Sequence, residues 1–124
     1  MTKKIGIVIV SHVPEIAAGI PRLLEQVAAD VALTFAGGTD AGEVGTSATK
    51  IVTAFEQNEA AELLAFYDLG SAKMNLELAI EMSDKKVHLY DTALLEGAYT
   101  AATLLQADVP LTEIEKQLAP LKIK

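Results

Sequence analysis

The stretch Ile5-Gly6-Ile7-Val8-Ile9-Val10, running into Ser11-His12-Val13-Pro14, decides the fold. It is apolar without polar alternation, so the strand it forms is expected to be buried on both faces. Three more short apolar runs follow, at residues 31–36, 63–67 and 87–90. Between them lie stretches of helical period. Residues 14–29 place Ile16, Ile20, Leu23, Leu24 and Val27 on one face, with Glu15, Arg22, Glu25 and Gln26 largely opposite. Pro14 suits the first helical turn, where its missing N–H would have had no partner. Residues 46–58 repeat the pattern with Ile51, Val52 and Phe55. Residues 71–82 do so with Met74, Leu78 and Met82, and Ser71 is a natural N-cap. A fourth helix, about 92–106, is rich in Ala and Leu; beyond Pro110, Thr112 is placed to cap a short helix ending near Leu118.

Strands alternating with helices, the strands apolar throughout, predict an α/β fold. The expected form is a single flavodoxin-like open sheet, mainly parallel, of strand order 2-1-3-4, with helices on both faces and residues 1–124 in one domain. By periodicity alone, 63–67 also fits a buried helical turn. In the expected order the topological switch lies between strands 1 and 3, and ligands meet the carboxyl ends of those strands.

Composition narrows the chemistry. The 124 residues carry 10 basic and 17 acidic side chains, a net charge of −7, no cysteine and two histidines, His12 and His88. Without cysteine there is no disulfide framework, thiolate metal site or thiol nucleophile. The two histidines lie too far apart in sequence for a local His-x-His or His-Glu-x-x-His site, so neither metal nor cofactor is expected. The acidic balance argues against nucleic acid. No run approaches the roughly 20 apolar residues of a membrane span, and a cytoplasmic protein with no membrane attachment is expected. Chemistry is left to a histidine, a carboxylate or a hydroxyl.

The expected topology gathers such groups at one sheet edge. Strand 1 leads into Ser11-His12, strand 2 into the glycine-rich stretch 37–47, and strand 3 into Asp68-Leu69-Gly70-Ser71. Three helix N-termini point at the same edge, each with unpaired N–H groups and a positive dipole end suited to an anion. The chemistry this suits is phosphoryl transfer through His12, whose neutral imidazole can attack phosphorus with one nitrogen while the other is held as N–H. Asp68, or a backbone carbonyl, is the expected orienter. Ser11, Gly38, Thr39, Thr46, Gly70 and Ser71 are the candidate phosphate-binding residues. At an effective dielectric near 20, a carboxylate about 4 Å from an imidazolium gains roughly 4 kcal/mol, and its repulsion of a doubly charged phosphoryl about 7 Å away is about as large. Such a site orients the ring without trapping the phosphate.

Plainer readings stand beside these. Asp68 also reads as a cap of the following helix, and Thr46 and Ser47 as helix caps first. The glycine-rich stretch is no P-loop, because Glu43 stands where that motif needs Lys. His88, inside the run Val87-His88-Leu89-Tyr90, reads as a packed or edge-facing histidine, and Lys73 and Lys85 as solvated.

Four motifs in order carry a family resemblance over essentially the whole chain: Val10-Ser11-His12, Gly45-Thr46, Asp68-Leu69-Gly70-Ser71, and Leu94-Leu95-Glu96-Gly97-Ala98. Together they resemble the phosphotransferase subunit of bacterial dihydroxyacetone kinases that draw phosphate from phosphoenolpyruvate, whose fold is similar to the mannose-type IIA domain of the sugar phosphotransferase system. The resemblance implies that His12 is phosphorylated by the histidine-containing phosphocarrier protein and passes the group to ADP on the nucleotide-binding subunit of the kinase. It also implies a homodimer. The segment after the histidine departs from that of the mannose-type relatives, which favours dihydroxyacetone over sugar transport.

Three rivals compete: a mannose-type IIA domain of sugar transport, a non-catalytic anion-binding module, and a receiver-like domain phosphorylated on aspartate. The last needs acidic residues after strand 1 to hold Mg²⁺, and that position reads Ser11-His12. A carrier that serves two macromolecules is expected to keep His12 partly exposed in a shallow site.

Overall fold

The computed structural model describes residues 3–124. Four strands, β1 (Ile5–Ser11), β2 (Leu33–Gly37), β3 (Glu62–Tyr67) and β4 (Lys86–Tyr90), alternate with α1 (Pro14–Glu25), α2 (Ala48–Gln57), α3 (Ala72–Met82) and α4 (Leu94–Gln106). Helix α5 (Leu111–Leu118) and a 3₁₀ turn (Ala119–Leu121) follow. The sheet order is β2-β1-β3-β4 and every pairing is parallel, which makes the fold an α/β open sheet of the expected order.

The apolar runs are explained by two cores, one on each face of the sheet. Ile7, Ile9, Leu64 and Phe66 pack with residues of α1, α4 and α5. Val8, Val10, Leu63, Ala65 and Tyr67 pack with residues of α2 and α3. Successive side chains of a strand point to opposite faces, so a strand covered on both sides must be apolar at every position.

Element boundaries differ from the sequence reading for local reasons. Strand β2 begins at Leu33, not at residue 31, because the Val31 amide closes a turn on the Ala28 carbonyl. Helix α1 ends at Glu25 rather than 29, since the amides of Gln26 and Val27 fall back onto the carbonyls of Leu23 and Leu24. Thr92 lies outside α4 and forms an antiparallel bridge with Lys122. Thr112 is no cap: α5 starts at Leu111, and the Pro110 carbonyl accepts from the amides of Glu113 and Ile114.

The buried helical faces are the larger correction. In α1 the buried stripe is Ala17, Pro21 and Leu24, while Ile16 and Leu23, and Val27 just beyond the helix, are exposed. In α3 it is Ala72, Leu76 and Ala79, while Met74 is 78% exposed and Leu78 and Met82 also face outward. The helical period holds throughout and the expected face of α2 is buried at Ile51 and Phe55, whereas α1 and α3 are rotated so that only Leu24 and the partly buried Ile20 of their expected stripes meet the core. Small side chains let a helix sit against the sheet: a Cβ on Gly37 would stand 2.7 Å from Pro14 Cα and 2.8 Å from Ala17 Cβ. Bulkier aliphatic residues do not fit that gap.

Gly97 has the same explanation on α4. A Cβ there would collide with Thr92 Oγ1 and stand 2.9 Å from Thr92 Cβ, with Phe66 behind it. Although alanine is the better helix former, Gly97→Ala is therefore expected to destabilise the fold by about 1–3 kcal/mol, through overpacking. Urea unfolding of the two proteins measures it.

Candidate functional site

The site forms where β1 and β3, the central strands, end side by side. Their register runs to Val10↔Tyr67, so the next residues of both strands meet at the carboxyl edge. Asp68 follows β3 there, and its carboxylate is shared among donors from both chain segments. Oδ2 accepts from the Ser11 hydroxyl at 2.8 Å and from the His12 amide at 3.0 Å. Oδ1 accepts from the Leu69 amide at 2.7 Å and lies 2.8 Å from His12 Nδ1. An ionised carboxylate has no proton to donate, so Nδ1 carries the hydrogen.

That fixes the other nitrogen. In the neutral ring, Nε2 then holds the lone pair, and Ser71 Oγ lies 2.6 Å from it as donor. His12 is partly exposed, its side chain 14% accessible, between Asp68 and Ser71 rather than enclosed in apolar side chains. Burial pushes the Asp68 carboxyl upward, but bonds from the His12 amide, the His12 ring, the Ser11 hydroxyl and the Leu69 amide hold it below the ordinary carboxylate range.

The candidate phosphate-binding residues divide. Ser11 is fully buried, and its hydroxyl, besides donating to Asp68, accepts from the Val13 amide. Gly38 sits at φ +78° and donates its amide to the Ser11 carbonyl, so its place is explained by the turn. Thr39 closes its own loop with Glu43 through both amide and hydroxyl. The Thr46 hydroxyl accepts from Asn75 at 2.7 Å. Gly38, Thr39 and Thr46 thus each have a bond within the fold, and the Gly45 amide ties their loop to the His12 carbonyl at 2.9 Å. Ser47 caps α2, accepting from the Lys50 amide. Ser71 makes no side-chain cap bond on α3, because its hydroxyl is turned to His12. The amides of Gly70 and Ser71, ahead of the first turn of α3, make no hydrogen bond among the described residues.

Remaining expectations meet a mixed outcome. His88 is on the edge strand β4, paired with Glu62 at 2.7 Å and stacked on Tyr90. Lys73 and Lys85 are not simply solvated: Lys73 pairs with Asp91 at 3.0 Å, and Lys85 donates to the Asn58 carbonyl. Lys124 was not anticipated. Its ammonium donates to the carbonyls of Tyr67 at 2.6 Å and Asp68 at 3.0 Å, directly behind the site. No short-range sequence signal marks a contact 56 residues away in the chain.

Comparison with known proteins fits this geometry. The family model EIIA-man, described as the PTS system fructose IIA component, matches residues 6–114. The chain belongs to the EIIA-man family. The chain is 50% identical over 119 residues to the PTS-dependent dihydroxyacetone kinase phosphotransferase subunit DhaM of Lactococcus lactis subsp. lactis, covering 96% of this chain and 97% of that one. It is 43% identical over 124 residues to the phosphoryl donor subunit DhaM of the PEP-dependent dihydroxyacetone kinase 1 of Listeria innocua, covering both chains in full. Among solved structures, a protein of unknown function, EF1359, superposes with a TM-score of 0.83 at 31% identity over 98% of this chain and 97% of that one. A sigma-54 interaction domain protein from Enterococcus faecalis, at TM-score 0.68 and 11% identity over 95% and 90%, shares the fold.

The Asp68 bonds make stability depend on pH with a definite sign. A carboxyl whose folded-state pKa is depressed contributes stability above its unfolded pKa, near 3.9, and loses it as pH falls through the folded value. Asp68→Asn is therefore expected to be less stable than the parent chain at pH 7, by about 1–3 kcal/mol. The gap should narrow as pH falls below about 4. Urea titrations of both proteins from pH 7 to pH 3 measure it.

Proposed function

We propose that the chain is a phosphohistidine carrier, a single phosphotransfer domain that serves as phosphoryl donor subunit of a phosphoenolpyruvate-dependent dihydroxyacetone kinase. It takes its phosphoryl group from the histidine-containing phosphocarrier protein and gives it to ADP on the nucleotide-binding subunit of the kinase. The observation that carries this reading is the polarised ring of His12, with Nδ1 on the Asp68 carboxylate and Nε2 toward Ser71. The names of the relatives at 50% and 43% identity support the kinase assignment over sugar transport.

In the transfer, the Nε2 lone pair attacks phosphorus and a new N–P bond forms as the N–P bond of the donor breaks, its electron pair returning to the donor imidazole. The His12 ring becomes cationic while keeping its Nδ1 proton, and the Asp68 carboxylate stabilises it there. The Ser71 hydroxyl must leave Nε2 and can then donate to a phosphoryl oxygen, joined by the amides of Gly70 and Ser71 at the start of α3. Discharge is the reverse: an oxygen of the ADP terminal phosphate attacks phosphorus, the Nε2–P bond breaks, and its electron pair returns to Nε2. The acidic charge of the chain suits docking to basic partner surfaces. A cytoplasmic location and a homodimer belong to the same reading. The exposed Ile16 and Leu23 of α1 and Leu95 and Tyr99 of α4, two helices packed on one sheet face, support the dimer.

The test is incubation with labelled phosphoenolpyruvate and the general phosphotransfer proteins. One acid-labile phosphate per chain is expected, absent from His12→Ala and retained in His88→Ala. Ser71→Ala should label at least tenfold more slowly, by loss of one transition-state donor. Adding ADP and the kinase subunits should discharge the label. Acid-stable label, or label persisting in His12→Ala, would remove the histidine mechanism; label that only a sugar-transport partner discharges would move the chain to sugar transport.

A further inference from the structure

Resting on the phosphohistidine reading above, a second positioning element lies behind Asp68. The carboxylate of Asp68 is held by donors from β1 and from its own turn, but the backbone that carries it has lost its neighbour on the β4 side. The β3–β4 ladder ends at Phe66↔Tyr90, after which β4 turns toward α4. The carbonyls of Tyr67 and Asp68 thus lie beyond the last pair of that ladder. The segment after the 3₁₀ turn fills the gap. Lys122 bridges to Thr92, the amides of Ile123 and Lys124 both donate to the Asp91 carbonyl at 3.1 and 3.2 Å, and the side chain of Lys124 turns inward.

The ammonium of Lys124 is then held on three sides. It donates to the Tyr67 carbonyl at 2.6 Å and the Asp68 carbonyl at 3.0 Å, and it lies over the Tyr67 ring, 4.1 Å from the centroid. Tyr67 is itself fixed, since its hydroxyl donates to Asp91 at 2.5 Å, and Lys73 donates to the other oxygen of Asp91 at 3.0 Å. Burial pulls the Lys124 ammonium below its ordinary range, while the Asp68 and Asp91 carboxylates favour its charge. A flexible lysine ordered this fully forgoes most of its rotamer freedom, and the contacts it gains all converge on two consecutive residues, the second of them Asp68.

We propose that Lys124 is a positioning residue of the phosphoryl-transfer site: its ammonium fastens the Tyr67 and Asp68 backbone carbonyls and so keeps the Asp68 carboxylate on His12 Nδ1. Lys124 touches neither the ring nor the reacting nitrogen. It acts through the β3–α3 turn by restricting where Asp68 can place its side chain, and hence which imidazole nitrogen carries the proton. A small displacement there matters, because a nucleophile misplaced by about 1 Å loses rate on the order of 100-fold.

The test is the ring tautomer of both histidines in the ¹⁵N-labelled full chain, read from long-range ¹H–¹⁵N spectra at a pH where the rings are neutral. The parent chain should show His12 protonated at Nδ1 and His88, held to Glu62 through Nε2, protonated at Nε2. In Lys124→Met, His12 should become a mixture of tautomers while His88 keeps its signature, and labelling from phosphoenolpyruvate should slow by about tenfold. Lys124→Gln serves equally if the methionine variant folds poorly, since it too lacks the ammonium. An unchanged His12 signature in these variants would overturn the proposal, and so would a joint change at His12 and His88, which marks general loosening. The tautomer is read without any partner protein, so a parent chain that shows the His12 signature yet takes no label counts against the carrier reading and not against the role of Lys124.

Discussion

The Asp68 carboxylate is the constraint on which the site depends. Its two oxygens take hydrogen bonds from the Ser11 hydroxyl, the His12 amide, the His12 ring and the Leu69 amide. Those donors come from the end of β1, from His12 just beyond it and from the turn after β3, so one side chain both stitches the central strands together at their carboxyl ends and sets the protonation of the imidazole. Sheet order makes this possible. With β1 and β3 adjacent and parallel, residues 56 positions apart in sequence stand within hydrogen-bond reach.

On the proposed function, the carboxylate also limits how firmly a phosphoryl group would be held. In the proposed phosphohistidine it would stabilise the cationic ring while its negative charge repelled the group on the far nitrogen, and in a medium of intermediate dielectric the two are comparable. A site of this kind is suited to receiving and releasing a group rather than storing it. The donors on the Nε2 side, the Ser71 hydroxyl and the amides of Gly70 and Ser71 just ahead of α3, are neutral, which keeps the balance close.

Much of this was legible in the sequence because it follows from short-range patterns. Apolar strands of uniform character announce a sheet covered on both faces, and the topological switch then gathers His12, Asp68 and Ser71 without knowledge of any contact. What was not legible depended on volume and on distant partners. Met74, Leu78 and Met82 have the right helical spacing for a core stripe, but the face of α3 buried on the sheet is Ala72, Leu76 and Ala79. The bonds that Thr39 and Thr46 accept from Glu43 and Asn75 depend on the folded loop and were not legible either. Ser71 stands at the N-cap of α3 as its residue type suggests, but its hydroxyl turns to the His12 imidazole rather than to a helix amide. Lys124 reaches Asp68 only through the folded chain.

The most direct measurement of the central claim is the identity of the phosphorylated atom. In the ¹⁵N-labelled chain charged from phosphoenolpyruvate, phosphorus–nitrogen coupling in the His12 ring reports which nitrogen carries the group. The account predicts coupling to Nε2, with the proton retained on Nδ1 against Asp68. Coupling to Nδ1, or phosphate on any other residue, would contradict it.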